Sequence, residues 1–200
     1  MSDQALFESA ADALRFAFHF SHQQYDRPLI NRMADKRLGG EGKGLSGLDG
    51  AAQAGMIRRE LSELSNLHQA LLIARFAPHF LPCSCSRACC SGQAINFEWR
   101  EAVRTVTSHA CEVLPGGAGK FRLRQELVAR HFGHKGTLTD IAERCGVRRQ
   151  AASDHNSLII NWLRGSQGKR EKGGVVGEEE KAIAAASAIL SRAALTSDVG

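Results

Sequence analysis

The chain has 200 residues with a formal net charge of +5, long enough for one large or two small domains with a real core. No apolar run approaches the ~20 residues of a membrane span, and the acidic start Met1-Ser2-Asp3-Gln4 lacks the apolar core of a signal peptide. One tyrosine and few alternating β-branched runs argue against an extensive sheet, so the chain is expected to be mainly α. Six cysteines without an export signal point to a reducing cytoplasm, where clustered thiols more often mean metal than disulfide.

In chain order, residues 4–25 predict a first helix, with Leu6, Ala10, Ala13, Leu14, Ala17 and Phe18 as its apolar stripe. Between Arg27 and Gly50, Pro28 and six glycines interrupt any helix. No Gly-Lys-Ser/Thr follows there, so a nucleotide loop is rejected and a flexible loop expected, with contact to nucleic-acid phosphates near Lys36, Arg37 and Lys43 as the alternative. A second helix is predicted from Leu48-Asp49 to about Leu61 or Leu64, and a third over 66–77 with Asn66 as its cap and Pro78 as its stop. Met56, Ile57, Leu61, Leu64, Leu67, Leu71 and Ile73 would form the seam of a helical hairpin.

Cys83, Cys85, Cys89 and Cys90 then fall within eight small and polar residues. Thiolates at this density satisfy a tetrahedral zinc, and the ion would brace a loop lacking its own core. The spacing Cys-x-Cys-x₃-Cys-Cys is not that of paired knuckles. His79, His109 or Cys111 could therefore replace one of the adjacent pair, and free thiols or a redox role are the other readings. Residues 96–113 predict a helix burying Trp99, Ala102, Val103, Val106 and Ala110. The Gly-Lys at 119–120 is no phosphate loop, because Phe121 replaces the hydroxyl that loop needs. A helix over 120–132 turns Leu123, Leu127, Val128 and Phe132 inward and Arg122, Arg124 and Arg130 outward.

Thr137 to Leu163 reads as two helices joined by a tight turn. Thr137 and Asp140 have the spacing of a capping box, and Gly146 sits where a helix ends in a left-handed residue. The small Ala142 lets a second helix, about Arg148 to Leu163, cross closely. That helix opens with Arg148, Arg149 and Gln150, followed by Ser153 and Asn156, side-chain types that read base edges and phosphates. Arg148 stands where Ser or Thr usually caps. Charge concentrates here: residues 120–170 hold eleven bases and four acids, a net +7 against −2 for the rest. A charged, glycine-rich linker (165–174) and an Ala-rich helix over 178–195 complete the chain. That tail helix either meets a partner or second subunit or folds back on its own chain.

Three domains are therefore expected: a helical bundle with a cysteine-rich loop (1–115), a trihelical helix-turn-helix unit (116–164), and a mobile tail helix (165–200). Residues 138–163 resemble the DNA-binding unit of sigma-factor region 4 and of many phage and bacterial regulators. The whole arrangement, with its helical hairpin at 51–77, cysteine cluster at 83–90 and helix-turn-helix, resembles the phage late-gene antitermination proteins of the Q family. That resemblance implies a protein that binds double-stranded DNA at a late promoter in a bacterial host's cytoplasm, at the nucleoid. It then loads onto the RNA polymerase holoenzyme. Arg149, Gln150, Ser153 and Asn156 would touch bases, and Arg148, Arg122, Arg124 and Arg164 phosphates. The competing class is a protein-binding adaptor of the transcription or replication machinery. No paired carboxylates or nucleophile with a spaced base point to an enzyme.

Overall fold

The computed structural model of the chain describes residues 6–25, 47–83, 85, 90–166 and 174–197. The glycine-rich stretch after Arg27, Cys89 and most of the linker after Gly165 lie outside the described residues. Eight α-helices and one two-stranded sheet, among the described residues, make the fold mainly α as the sequence predicts. None of these helices is long and apolar enough to cross a membrane. The chain divides into two compact units, each gathered from separated segments: residues 1–63, 76–96 and 185–200 form one, residues 64–75 and 97–184 the other.

In the first unit α1 (Ala10–Tyr25) packs on α2 (Gly47–Leu61). Helix α1 starts six residues later than its apolar pattern suggests, because the Ser9 hydroxyl accepts from the Asp12 N–H at 3.2 Å and caps it. Phe7 instead pairs with the chain's end: its N–H donates to the Leu195 carbonyl, and its carbonyl accepts from the Ser197 N–H. Leu14, Ala17 and Phe18 meet the i, i+3, i+7 row Ala54, Ile57 and Leu61 to make the core. Met56, expected in a seam, lies off that row and is 53% exposed. Arg58 closes the packing, donating to the Ala17 carbonyl at 3.2 Å with its guanidinium 4.9 Å from the Phe18 ring centre.

A hairpin not anticipated from the sequence follows in this unit. Strand β1 (Phe80–Pro82) pairs antiparallel with β2 (Gln93–Ile95), in the register Phe80–Ile95, Leu81–Ala94, Pro82–Gln93. Three-residue strands show no alternation to read, and Pro82 is tolerated on an edge. The Asn96 side chain locks the base by donating to the Pro78 carbonyl at 2.8 Å. The Cys83 N–H extends the ladder to the Gly92 carbonyl at 2.9 Å.

The second unit takes in α3 (Asn66–Phe76) through residue 75, then α4 (Phe97–Val113), α5 (Phe121–His131), α6 (Leu138–Arg144), α7 (Arg149–Arg164) and the start of α8 (Glu178–Arg192). Ser65, not Asn66, caps α3, accepting from the His68 N–H at 3.2 Å. Helix α4 buries the five residues its spacing predicts, and the Trp99 indole N–H donates to the Ala74 carbonyl at 3.1 Å. Helices α5, α6 and α7 pack pairwise as a trihelical unit, burying Leu123, Leu127, Val128, Ile141, Ala142, Ala152, Ile159 and Leu163.

Helix α8 belongs to the fold of its own chain: Ala182, Ala186 and Leu190 are fully buried. Its acidic first turn meets two histidines, Glu179 bonding the buried His131 ring and Glu178 lying 3.8 Å from His68. Gly165 (φ +81°) and Gly177 let the chain reverse before α8, since a Cβ on either would overlap the backbone of the other's segment.

Candidate nucleic-acid interface and thiol cluster

The turn between α6 and α7 is built from local chemistry. The Thr137 hydroxyl accepts from the Asp140 N–H at 3.2 Å, and the Asp140 carboxylate accepts from the Thr137 N–H at 3.0 Å, a complete capping box. The bonds from the Thr137 backbone and side chain hold the Asp140 carboxyl below its usual range. At the other end Gly146 adopts φ +63°. Its N–H bonds the Glu143 carbonyl at 3.1 Å and the Val147 N–H bonds the Ala142 carbonyl at 3.0 Å, which together form a Schellman motif. With both ends of α6 fixed, the direction of α7 is fixed as well. Arg144 and Glu126 tie α6 to α5 through a 2.8 Å ion pair.

Helix α7 buries Ala152, Ile159 and Leu163 on one side. The opposite side is an exposed ridge at i+4, i+3 steps: Gln150, Asp154, Ser157, Asn161 and Arg164. Arg148 and Arg149 are exposed at its N-terminal end, and Arg148 is the cap without a side-chain bond, as expected. Ser153 is half-buried on the ridge's flank. Asn156, expected beside these readers, lies 60° closer to the buried side than Ser153 does on a helix turning ~100° per residue. It is half-buried, with its oxygen 3.4 Å from an Arg130 nitrogen. Asp154, Ser157 and Asn161 are ridge residues not expected from the sequence as readers; counting in helical steps from Gln150 finds them. Arg130, expected to point outward, donates instead to the Gly136 carbonyl at 3.1 Å.

The strongest correction concerns Arg124, expected outward as a phosphate contact. It is fully buried. Its guanidinium donates to the carbonyls of Ala110 at 3.0 Å, Leu114 at 3.4 Å and Pro115. Ala110 lies in the last turn of α4 and its carbonyl also accepts from the Leu114 N–H, while Leu114 and Pro115 follow the helix, so the guanidinium sits where a cation meets the negative end of the helix dipole. Arg124 thus ties α5 to the end of α4 and the turn after it. Arg122, by contrast, is exposed on α5 as expected. Beside Arg124 packs His155 of α7, whose basicity is lowered first by burial and then by the charges of Arg124 and Lys120.

At the tip of the hairpin the sulfurs of Cys83, Cys85 and Cys90 all lie within 4.8 Å of one another, and this group could hold a metal ion. Cys89 is outside the described residues. Backbone donors meet two of the sulfurs: the Cys85 N–H that of Cys83, and the Gly92 N–H that of Cys90 at 3.4 Å. Gly92 (φ +74°) supplies the left-handed residue that the bend after Cys90 needs. The Cys85 N–H favours a Cys83 thiolate, but hydrogen bonds with the Cys85 and Cys90 side chains, desolvation and the Cys85 charge outweigh it and raise the thiol's pKa. A cation among the three sulfurs would reverse that balance.

No known family model matches the chain, and no curated protein or solved structure is similar to it.

Proposed function

We propose that the chain is a sequence-specific, double-stranded-DNA-binding transcription regulator that reads a promoter through α7. In the manner of the late-gene antiterminators it resembles, it then engages RNA polymerase. The observation that carries this reading is the polar outer ridge of α7, flanked by exposed Arg148, Arg149 and Arg164 and set by a turn with both helix ends capped. A major groove admits such a helix, and its N-terminal side chains are those that meet base edges. Gln150, with Arg149 and Ser153 beside it, is assigned to bases. Arg148, Arg122 and Arg164 are assigned to phosphates. Asn156 and Arg124 leave the contact set, because each is held within the fold.

The test is a crosslinking profile of the tagged protein along the genome it acts on. Signal that begins at one promoter and continues through the downstream transcription unit supports antitermination. A sharp promoter peak alone means a conventional regulator, and no peak contradicts DNA binding and leaves a protein-binding adaptor.

Zinc is the metal proposed for Cys83, Cys85 and Cys90. Tetrahedral zinc with Zn–S bonds of about 2.3 Å sets sulfurs roughly 3.8 Å apart, and the three sulfurs here lie within 4.8 Å of one another. Bound zinc would keep the three sulfurs deprotonated and tie the segment after β1 to the segment before β2. One equivalent of zinc is expected per chain by elemental analysis. Serine at any of the three positions should release it, whereas a variant of all three that retains zinc would refute the site.

A further inference from the structure

An acid stands in the middle of the ridge assigned to DNA. Asp154 is exposed one turn after Gln150, and its Oδ1 accepts from the Gln150 Nε2 at 2.8 Å. Among phosphates a carboxylate is repelled, so it lowers affinity for every duplex unless a base donor meets it. Of the two amino groups in the major groove, adenine N6 and cytosine N4, cytosine N4 is the usual partner of a carboxylate. The bond to Asp154 uses one N–H of the Gln150 amide and leaves its oxygen and second N–H, the set that pairs with adenine N6 and N7.

We infer that Asp154 and Gln150 act as one reading unit: Asp154 orients the Gln150 amide for an adenine and offers its other oxygen to a cytosine amino group close by. Four residues advance a helix by roughly 6 Å, and base pairs are stacked about 3.4 Å apart, so the cytosine lies within two base pairs of the adenine. The unit rests on the DNA-binding reading above and names the sequence class it selects. It also makes Asp154 a penalty against non-specific DNA, balancing the arginines on either side.

The experiment is selection of bound duplexes from a random-sequence pool with the wild-type protein, Asp154→Asn and Asp154→Ala, followed by affinity for the selected site and for unrelated DNA. The wild type should enrich an adenine with a cytosine within two base pairs. Asp154→Asn still accepts from Gln150 but now presents an N–H donor. It should keep the adenine and replace the cytosine by guanine or thymine, whose O6 and O4 are acceptors. Asp154→Ala should lose discrimination at the cytosine by roughly 5- to 150-fold and bind unrelated DNA more tightly than the wild type does. An enriched motif that is the same in all three proteins overturns the inference and leaves DNA reading by α7 intact. A wild-type protein that binds duplex but enriches no motif overturns both.

Discussion

Arg124→Met is expected to lower the melting temperature by roughly 6–12 °C, the shift for about 3 kcal/mol in a chain of this size. The physical reason is the loss of buried hydrogen bonds from a charged group. Methionine fills the volume but removes the guanidinium's bonds to the carbonyls of Ala110, Leu114 and Pro115 and leaves Ala110 only its Leu114 N–H donor, and hydrogen bonds to a charged group contribute about 1.5–3 kcal/mol. Lysine keeps the charge but not the fork of donors, so Arg124→Lys should recover only part of the loss.

The same variant carries a second signature through His155. Burial, Arg124 and Lys120 depress the folded-state pKa of His155, so below ~6.5 the unfolded chain takes up a proton that the folded chain resists. Stability is therefore full above pH ~6.5 and declines as the pH falls through that window. Without the Arg124 charge the decline attributable to His155 should become shallower, read from melting curves across pH 5 to 8. An Arg124→Met protein as stable as the wild type would mean that the guanidinium's bonds contribute nothing.

Gln150→Ala is expected to cost about 1–3 kcal/mol on the selected site and little on unrelated DNA, because a base contact discriminates while a phosphate contact does not. Arg149→Ala should behave in the same way. Arg148→Ala should instead weaken binding to all duplexes alike. Competition binding with selected and unrelated duplexes separates the two behaviours. Equal loss on every sequence for Gln150→Ala would reassign it to the backbone.

The sequence made the trihelical unit legible because its signals are local and agree with one another. Thr137, Asp140, Gly146 and Ala142 each sit in the role that their chemistry predicts. Arg124 departs from expectation because periodicity alone cannot tell an outward arginine from one drawn inward by a helix that ends eleven residues before it in the chain. The acceptors become visible only once α4 and α5 pack. Asn156 failed for a related reason: residue type suggested a reader, whereas helical phase turned it towards the buried side. The thiol cluster was evident from density, but not the hairpin that presents it, since three-residue strands leave no pattern. Where α8 would go was open, because an Ala-rich stripe looks the same buried in its own chain or in a partner. Its burial here is a tertiary result.

The most direct measurement of the central claim is the affinity for a short duplex as a function of salt, for the wild type and Arg148→Ala. With Arg148, Arg122 and Arg164 on phosphates, log affinity should fall against log salt with a slope of roughly −3 or steeper, reduced by about one in the variant. A slope near zero, or one that Arg148→Ala leaves unchanged, would contradict a helix-turn-helix that holds DNA at this face.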